Sequence, residues 1–151
     1  MVKPLTLAGF LKKHRLIYLD TSAFIYFVEQ HPRYFPICEE LFIAIEAGRT
    51  KASTSTLTLL EILVQPYRQK KDELVLKFYA LLTTYPHLTW VPMTLNVADQ
   101  AAKLRADYGI KTPDAIQAAS AISCEATGFL CNDKAFRKVP AFESLVLDDL
   151  C

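Results

Sequence analysis

The spacing of apolar and polar positions changes several times along the chain, and each change marks an element. Leu16-Ile17-Tyr18-Leu19 is a short apolar run of strand length that ends at Asp20, after which residues 21–29 take helical spacing. Past the His31-Pro32 break, Tyr34, Ile37, Cys38, Leu41 and Ile45 recur on one helical face, with Gly48 as the stop. Residues 51–54 read as a second strand. Thr56 to Gln65 reads as a helix stopped by Pro66, and another helix runs from about Lys70 to Thr84. Leu88 to Val91 is a third strand. Thr94 caps a helix that carries Val97, Ala101 and Leu104 on one face and has Gly109 just past its end. Thr112-Pro113 opens a helix that runs to Thr127 and stops at Gly128, because proline suits the first helical position. Phe129-Leu130-Cys131 and Leu145-Val146-Leu147 are the fourth and fifth strands.

Short apolar strands alternating with helices predict an α/β fold: a central, mostly parallel sheet of about five strands with helices on both faces. Ligands of such sheets bind beyond the carboxyl ends of the strands. Asp20, after the first strand, and Asp133, after the fourth, therefore belong at the same sheet edge.

Composition narrows the function classes. A chain of 151 residues suits one domain with one core, and neither an internal repeat nor a second domain is visible. Only four glycines are present, which disfavours phosphate-binding and dinucleotide-binding loops. No apolar run approaches the roughly 18 residues that cross a bilayer. The charges of the first fifteen residues follow their apolar positions, the wrong order for a secretory signal, so a cytoplasmic protein is expected. Cys38, Cys124, Cys131 and Cys151 lack metal-ligand spacing and read as reduced residues. His14, His31 and His87 sit near predicted breaks and read as surface residues, and no G-x-S-x-G accompanies them. Net charge is +1, but Arg68, Lys70 and Lys71 form one basic cluster and Lys134, Arg137 and Lys138 another. Either could attract nucleic-acid phosphates toward a neighbouring acidic site.

Four acids carry the candidate chemistry. Glu61 lies among Leu57, Leu60 and Val64 on an apolar helix face, where an unpaired carboxylate costs several kcal/mol or takes up a proton. Asp114 falls in the first turn of a helix, where the dipole alone would favour it by ~0.3–1 kcal/mol. Asp20 could simply cap the helix after it, and Asp133 could be a turn residue. The combination says more than any one of them. Two carboxylates about 5 Å apart repel by roughly 3 kcal/mol at an effective dielectric of about 20, so four need protons or cations between them. Oxygen-only ligation favours Mg²⁺ or Mn²⁺ over zinc, and such ions promote phosphodiester hydrolysis.

Ile17-Tyr18-Leu19-Asp20-Thr21-Ser22 resembles the opening motif of PIN domains, a hydrophobic strand followed by Asp-x-Ser. Glu61, in Ser55-Thr56-Leu57-Thr58-Leu59-Leu60-Glu61, resembles the second acid of that family. Asp114-Ala115-Ile116-Gln117-Ala118-Ala119 is similar to its Asp-Ala-x-x-x-Ala helix start. Phe129 to Phe136, which includes Asn132-Asp133, is similar to its last motif. The resemblance spans residues 16 to about 147 and implies a PIN-like three-layer α/β/α sandwich at 16–151, preceded by an N-terminal extension at 1–15. It also implies an Mg²⁺- or Mn²⁺-dependent endoribonuclease, often the VapC-type toxin of a type II toxin–antitoxin pair. Asp20, Glu61 and Asp114 would hold the metal and Asp133 would complete the site. Ser22 and Asn132 would support the ligands or contact water. Arg68, Lys70, Lys71, Lys134 and Arg137 would meet RNA phosphates. Hydrolysis would leave a 5′-phosphate and a 3′-hydroxyl. The implied partners are an RNA substrate, an antitoxin protein and a second copy of the chain. Cys131 departs from the pattern, because Thr or Ser is usual there and a thiol donates hydrogen bonds poorly.

A haloacid-dehalogenase-type phosphatase needs an acid where Ser22 stands. The chief rival is a catalytically silent PIN-like module that binds RNA or protein, against which the crowding of four acids argues. The aromatic residues Phe24, Tyr26, Phe27, Tyr34, Phe35 and Phe42 read first as core, although two short helices cannot turn all of them inward, and an exposed subset could form a groove for an antitoxin segment or a homodimer surface.

Overall fold

The alternation of strands and helices is realised in the computed structural model, which describes residues 5–151; the first four residues of the expected extension lie outside it. Helix α1 (Leu7–Lys13) precedes β1 (Leu16–Leu19), α2 (Thr21–Val28), α3 (Phe35–Glu46), β2 (Lys51–Ser55), α4 (Thr56–Arg68) and α5 (Asp72–Thr84). Then follow β3 (Leu88–Val91), α6 (Leu95–Tyr108), α7 (Thr112–Ser123), β4 (Gly128–Cys131) and β5 (Glu143–Val146). A 3₁₀ turn at Lys134–Lys138 separates the last two strands.

All five strands are parallel, in the order β3-β2-β1-β4-β5. The chain builds outward from β1 to β2 and β3, then crosses to the other side for β4 and β5. That reversal puts a topological switch point between β1 and β4, where Leu19 pairs with Leu130.

Side-chain alternation along the strands divides the core into two layers. Ile17, Leu19, Leu130 and Leu145 face α1 to α5, packing with Phe10, Phe24, Phe42, Ile62 and Phe78. Tyr18, Phe129, Cys131 and Val146 face α6 and α7, packing with Val97, Leu104, Ala115, Ala118 and Ala119. Alanines let α7 lie close to the sheet. The result is the expected three-layer α/β/α sandwich.

Several expected boundaries shift. Helix α4 passes Pro66 and ends at Arg68; Pro66 is buried in the last turn, where its missing N–H costs one bond to Ile62. Helix α5 begins at Asp72, because Lys70 is left-handed (φ 53°) and belongs to the turn. Helix α7 ends at Ser123, four residues early. Glu125 takes φ 63°, and its N–H and that of Ala126 bond back to Ile122 (3.0 Å) and Ala121 (3.0 Å), which closes a Schellman turn without glycine. The fifth strand runs over Glu143–Val146, so Leu147 lies beyond it.

Gly128 is therefore the buried first residue of β4 and not a helix stop. A Cβ there would lie 2.7 Å from Phe10 Cζ and 2.9 Å from two atoms of the His14 ring. This close approach lets α1 dock on the sheet. It also corrects the surface reading of His14, which is 7% exposed. Its ring nitrogens lie 2.8 Å from Thr127 Oγ1 and 2.9 Å from Glu143 Oε1, so a polar ring is buried with both partners supplied. Gly128→Ala is expected to destabilise the protein by about 1–3 kcal/mol through displacement of Phe10 and His14. An unchanged urea midpoint would mean that α1 is not held at this position.

The core reading of the six aromatic residues holds, and none of them is exposed enough to line an open groove. Phe24 and Phe42 are fully buried, and Tyr26, Phe27, Tyr34 and Phe35 are half-buried in a ladder between α2 and α3. Tyr26 stacks on Tyr34 at 4.6 Å and Phe27 on Phe35 at 5.8 Å, so the rings satisfy one another. The exposed large apolar side chains among the described residues include Leu60 and Tyr67 on α4 and Leu76 and Tyr79 on α5. All four cysteines are free.

Candidate active site

Asp20 follows β1 directly, and its backbone N–H donates to the Leu130 carbonyl of β4 (3.1 Å), which fixes it at the switch point. Its Oδ1 caps α2, accepting from the Ser22 N–H (3.0 Å) and the Ser22 hydroxyl (2.5 Å). Burial pushes the Asp20 carboxyl up to about 7 against these two bonds, and the charges of Glu61 and Asp114 push the same way.

Glu61 projects from α4. Its Oε1 accepts from Thr21 Oγ1 (2.9 Å) and from Gln117 Nε2 (2.9 Å). Asp114, half-buried in the first turn of α7, is also shifted upward, by burial first and then by Asp133 and Glu61, with Lys111 opposing. Asp133 is exposed after β4 and caps the 3₁₀ turn, accepting from the Ala135 N–H (2.8 Å). All four acids thus lie at or near the carboxyl edge of the sheet and are linked by mutual repulsion: Asp20 senses Glu61 and Asp114, and Asp114 senses Asp133 and Glu61.

None of the four is in an ion pair among the described residues. Nor are any three histidine, cysteine, aspartate or glutamate side chains among them drawn tightly enough to cage an ion unaided. The donor set is oxygen-only, and no Lys or Arg among the described residues is ion-paired to it, which fits a hard divalent ion.

The expected supporting residues behave differently from one another. Ser22 bonds Asp20 directly. Asn132 bonds none of the four acids: its Nδ2 donates to Tyr26 Oη (3.0 Å) and its Oδ1 accepts from the Asp148 N–H (2.9 Å), clamping the end of β4 to α2 and to the C-terminal turn. The Cys131 thiol is buried, its pKa is raised by that burial, and it lies 3.5 Å and 3.8 Å from the carbonyls of Asp133 and Leu145. Arg68, Lys70 and Lys71 are exposed at the α4–α5 turn; Arg68 is seven residues past Glu61, about 10 Å along the helix axis. Lys134, Arg137 and Lys138 are exposed beside Asp133, with Arg137 paired to Asp149.

Sequence reading missed the buried polar cluster behind Glu61. Gln117 is 3% exposed and lies among Tyr18, Thr58, Thr21 and Glu61. A signal was available, since Gln117 stands three residues after Asp114 and shares its helix face, in a stretch rich in alanine.

The family model of the PIN domain matches residues 17–141. No curated protein sequence matches the chain. Among solved structures, a chain of VapBC2 from Rickettsia felis, bound to a promoter DNA fragment, superposes with a TM-score of 0.68 at 19% identity, over 87% of this chain and 98% of that one. A toxin–antitoxin complex from Klebsiella pneumoniae gives 0.65 at 19% identity, over 87% and 97%. DNA-bound VapBC from Salmonella typhimurium gives 0.62 at 18% identity, over 87% and 97%. At these identities the likeness is one of fold.

Proposed function

The chain belongs to the PIN domain family, and on that footing we propose that it is an Mg²⁺- or Mn²⁺-dependent endoribonuclease, the toxin of a type II toxin–antitoxin pair. The observation that carries this reading is the electrostatic coupling of Asp20, Glu61, Asp114 and Asp133 near one edge of the sheet, with no ion pair to any of them among the described residues. In this role Asp20, Glu61 and Asp114 hold the ion and Asp133 completes the site. The bound ion supplies Lewis-acid chemistry: it activates water and offsets charge at the phosphodiester.

The chain's own residues hold these ligands in place and recruit substrate. Ser22 fixes one oxygen of Asp20, while Thr21 and Gln117 fix one of Glu61. Arg68, Lys70, Lys71 and Lys134 are exposed cations that offset the repulsion between RNA and the acids. Arg137 can contribute less, because Asp149 engages it.

The catalytic unit in this reading is residues 16–151, working in the cytoplasm. An antitoxin or a second copy of the chain would cover apolar surface, for which Leu60, Tyr67, Leu76 and Tyr79 are available. The toxin–antitoxin complexes among its structural neighbours support such a partner.

The test is incubation of the purified chain with labelled single-stranded RNA in Mg²⁺, Mn²⁺ or EDTA. Cleavage with either metal and none in EDTA is expected, and it should cease when an antitoxin from an adjacent reading frame is added. RNA binding without cleavage under every condition would replace the enzyme with a silent binding module.

A further inference from the structure

We propose that Gln117 is a positioning residue whose amide, held in place by Tyr18, holds one oxygen of Glu61 and leaves the other for the metal. This rests on the reading of Glu61 as a ligand.

The amide has one arrangement that satisfies its neighbours. Glu61 as a carboxylate only accepts hydrogen bonds, so the Gln117 group facing it at 2.9 Å must be Nε2. On the other side, the hydroxyl of fully buried Tyr18 donates to Gln117 Oε1. Glu61 sets the orientation, and the Tyr18 hydroxyl, which can donate or accept, meets the amide oxygen in that arrangement and holds it there. The second N–H of Gln117 lies between the hydroxyls of Thr58 (3.2 Å) and Thr21 (3.3 Å). The cluster is anchored to the sheet by Thr54 Oγ1, which donates to the Leu19 carbonyl (2.8 Å) and lies 2.8 Å from Thr58 Oγ1.

Glu61 Oε1 thus receives two donors, Gln117 and Thr21, whereas Oε2 accepts none from the described residues. A carboxylate held by one oxygen is a one-oxygen ligand with a set direction. Gln117 also lies one turn after Asp114 on α7, so a single rigid helix carries one acid and fixes the bearing of another.

The experiment is calorimetric titration of the purified chain with Mn²⁺, with the EPR spectrum of the bound ion and the metal-free melting temperature recorded alongside. Gln117→Leu is expected to weaken Mn²⁺ binding on the order of tenfold and to alter the spectrum. A lowered metal-free melting temperature with unchanged affinity and spectrum would overturn the proposal and leave Gln117 a packing residue. Should Gln117→Leu not fold, Tyr18→Phe carries the test. It keeps the ring and removes only the hydroxyl, so the amide loses the group that holds it, and severalfold weaker binding is expected; unchanged binding overturns the proposal. Wild-type protein that binds no Mn²⁺ would sink the four-acid reading and this role together. Wild-type binding matched by both variants would sink only the role of Gln117.

Discussion

Asp20→Asn is expected to abolish the proposed metal-dependent RNA cleavage, lowering the rate by about 10³-fold, while the protein stays folded. Asparagine caps a helix as well as aspartate does, so the bond from the Ser22 N–H that starts α2 survives. What goes is the charge, at the switch point where the strand order reverses and two other carboxylates press on it. Charge stabilisation by a catalytic metal is worth several kcal/mol, and each ~1.4 kcal/mol is a factor of ten in rate. Single-turnover cleavage in saturating Mn²⁺ checks this. Activity within about tenfold of wild type would place the chemistry elsewhere.

The second large effect is on stability. In EDTA the folded protein should lose stability as pH rises from about 4 to about 7. Asp20 is the main cause, because its carboxyl goes from an ordinary 3.8 to about 7 on folding. Below about pH 4 both states carry the proton and nothing changes. Between the two values the folded state keeps a proton that the unfolded state has released, so unfolding becomes easier with each rise in pH. Above about pH 7 the cost is complete, at most ~4 kcal/mol and less by whatever solvent the half-buried group retains. Asp114, shifted the same way, adds to the slope. Glu143, lowered by Lys13 and His14, works in the opposite sense, contributing stability that is lost in acid. Mn²⁺ at about 100 times its dissociation constant should return ~2.7 kcal/mol, several degrees of melting temperature for a chain of this size. Melting curves at pH 5 and pH 8, with and without Mn²⁺, measure both effects. Asp20→Asn should flatten the EDTA slope, and a variant that tracked wild type at both pH values would remove Asp20 as the cause.

Strand and helix identities were legible because burial imposes a period, and the sheet edge shared by Asp20 and Asp133 followed from parallel topology alone. Helix ends were less legible. Gly48 and Gly109 announced theirs, but Gln30, Lys70 and Glu125 close their helices in the same left-handed conformation with ordinary side chains, which local sequence does not mark. His14 and Gln117 were misjudged or missed for a related reason. Each is a buried polar residue whose partners are distant in sequence: Glu143, 129 residues from His14, and Tyr18, 99 residues from Gln117. The aromatic residues were legible as core, and only the exposed subset fails, since stacking between α2 and α3 uses the rings that composition alone left free.

The docking of α1 over Gly128 bears on how the chain is made. The partners of α1 sit near Thr127, Gly128 and Glu143, so a growing polypeptide cannot bury Phe10 until its last strands have been synthesised. The acidic centre is likewise assembled from positions 20 to 133, contacts of high sequence separation that form late. A nascent or prematurely ended chain therefore holds neither the closed core nor the full set of carboxylates. The four carboxylates are present together only once synthesis has passed residue 133, and α1 finds its partners only once it has passed residue 143.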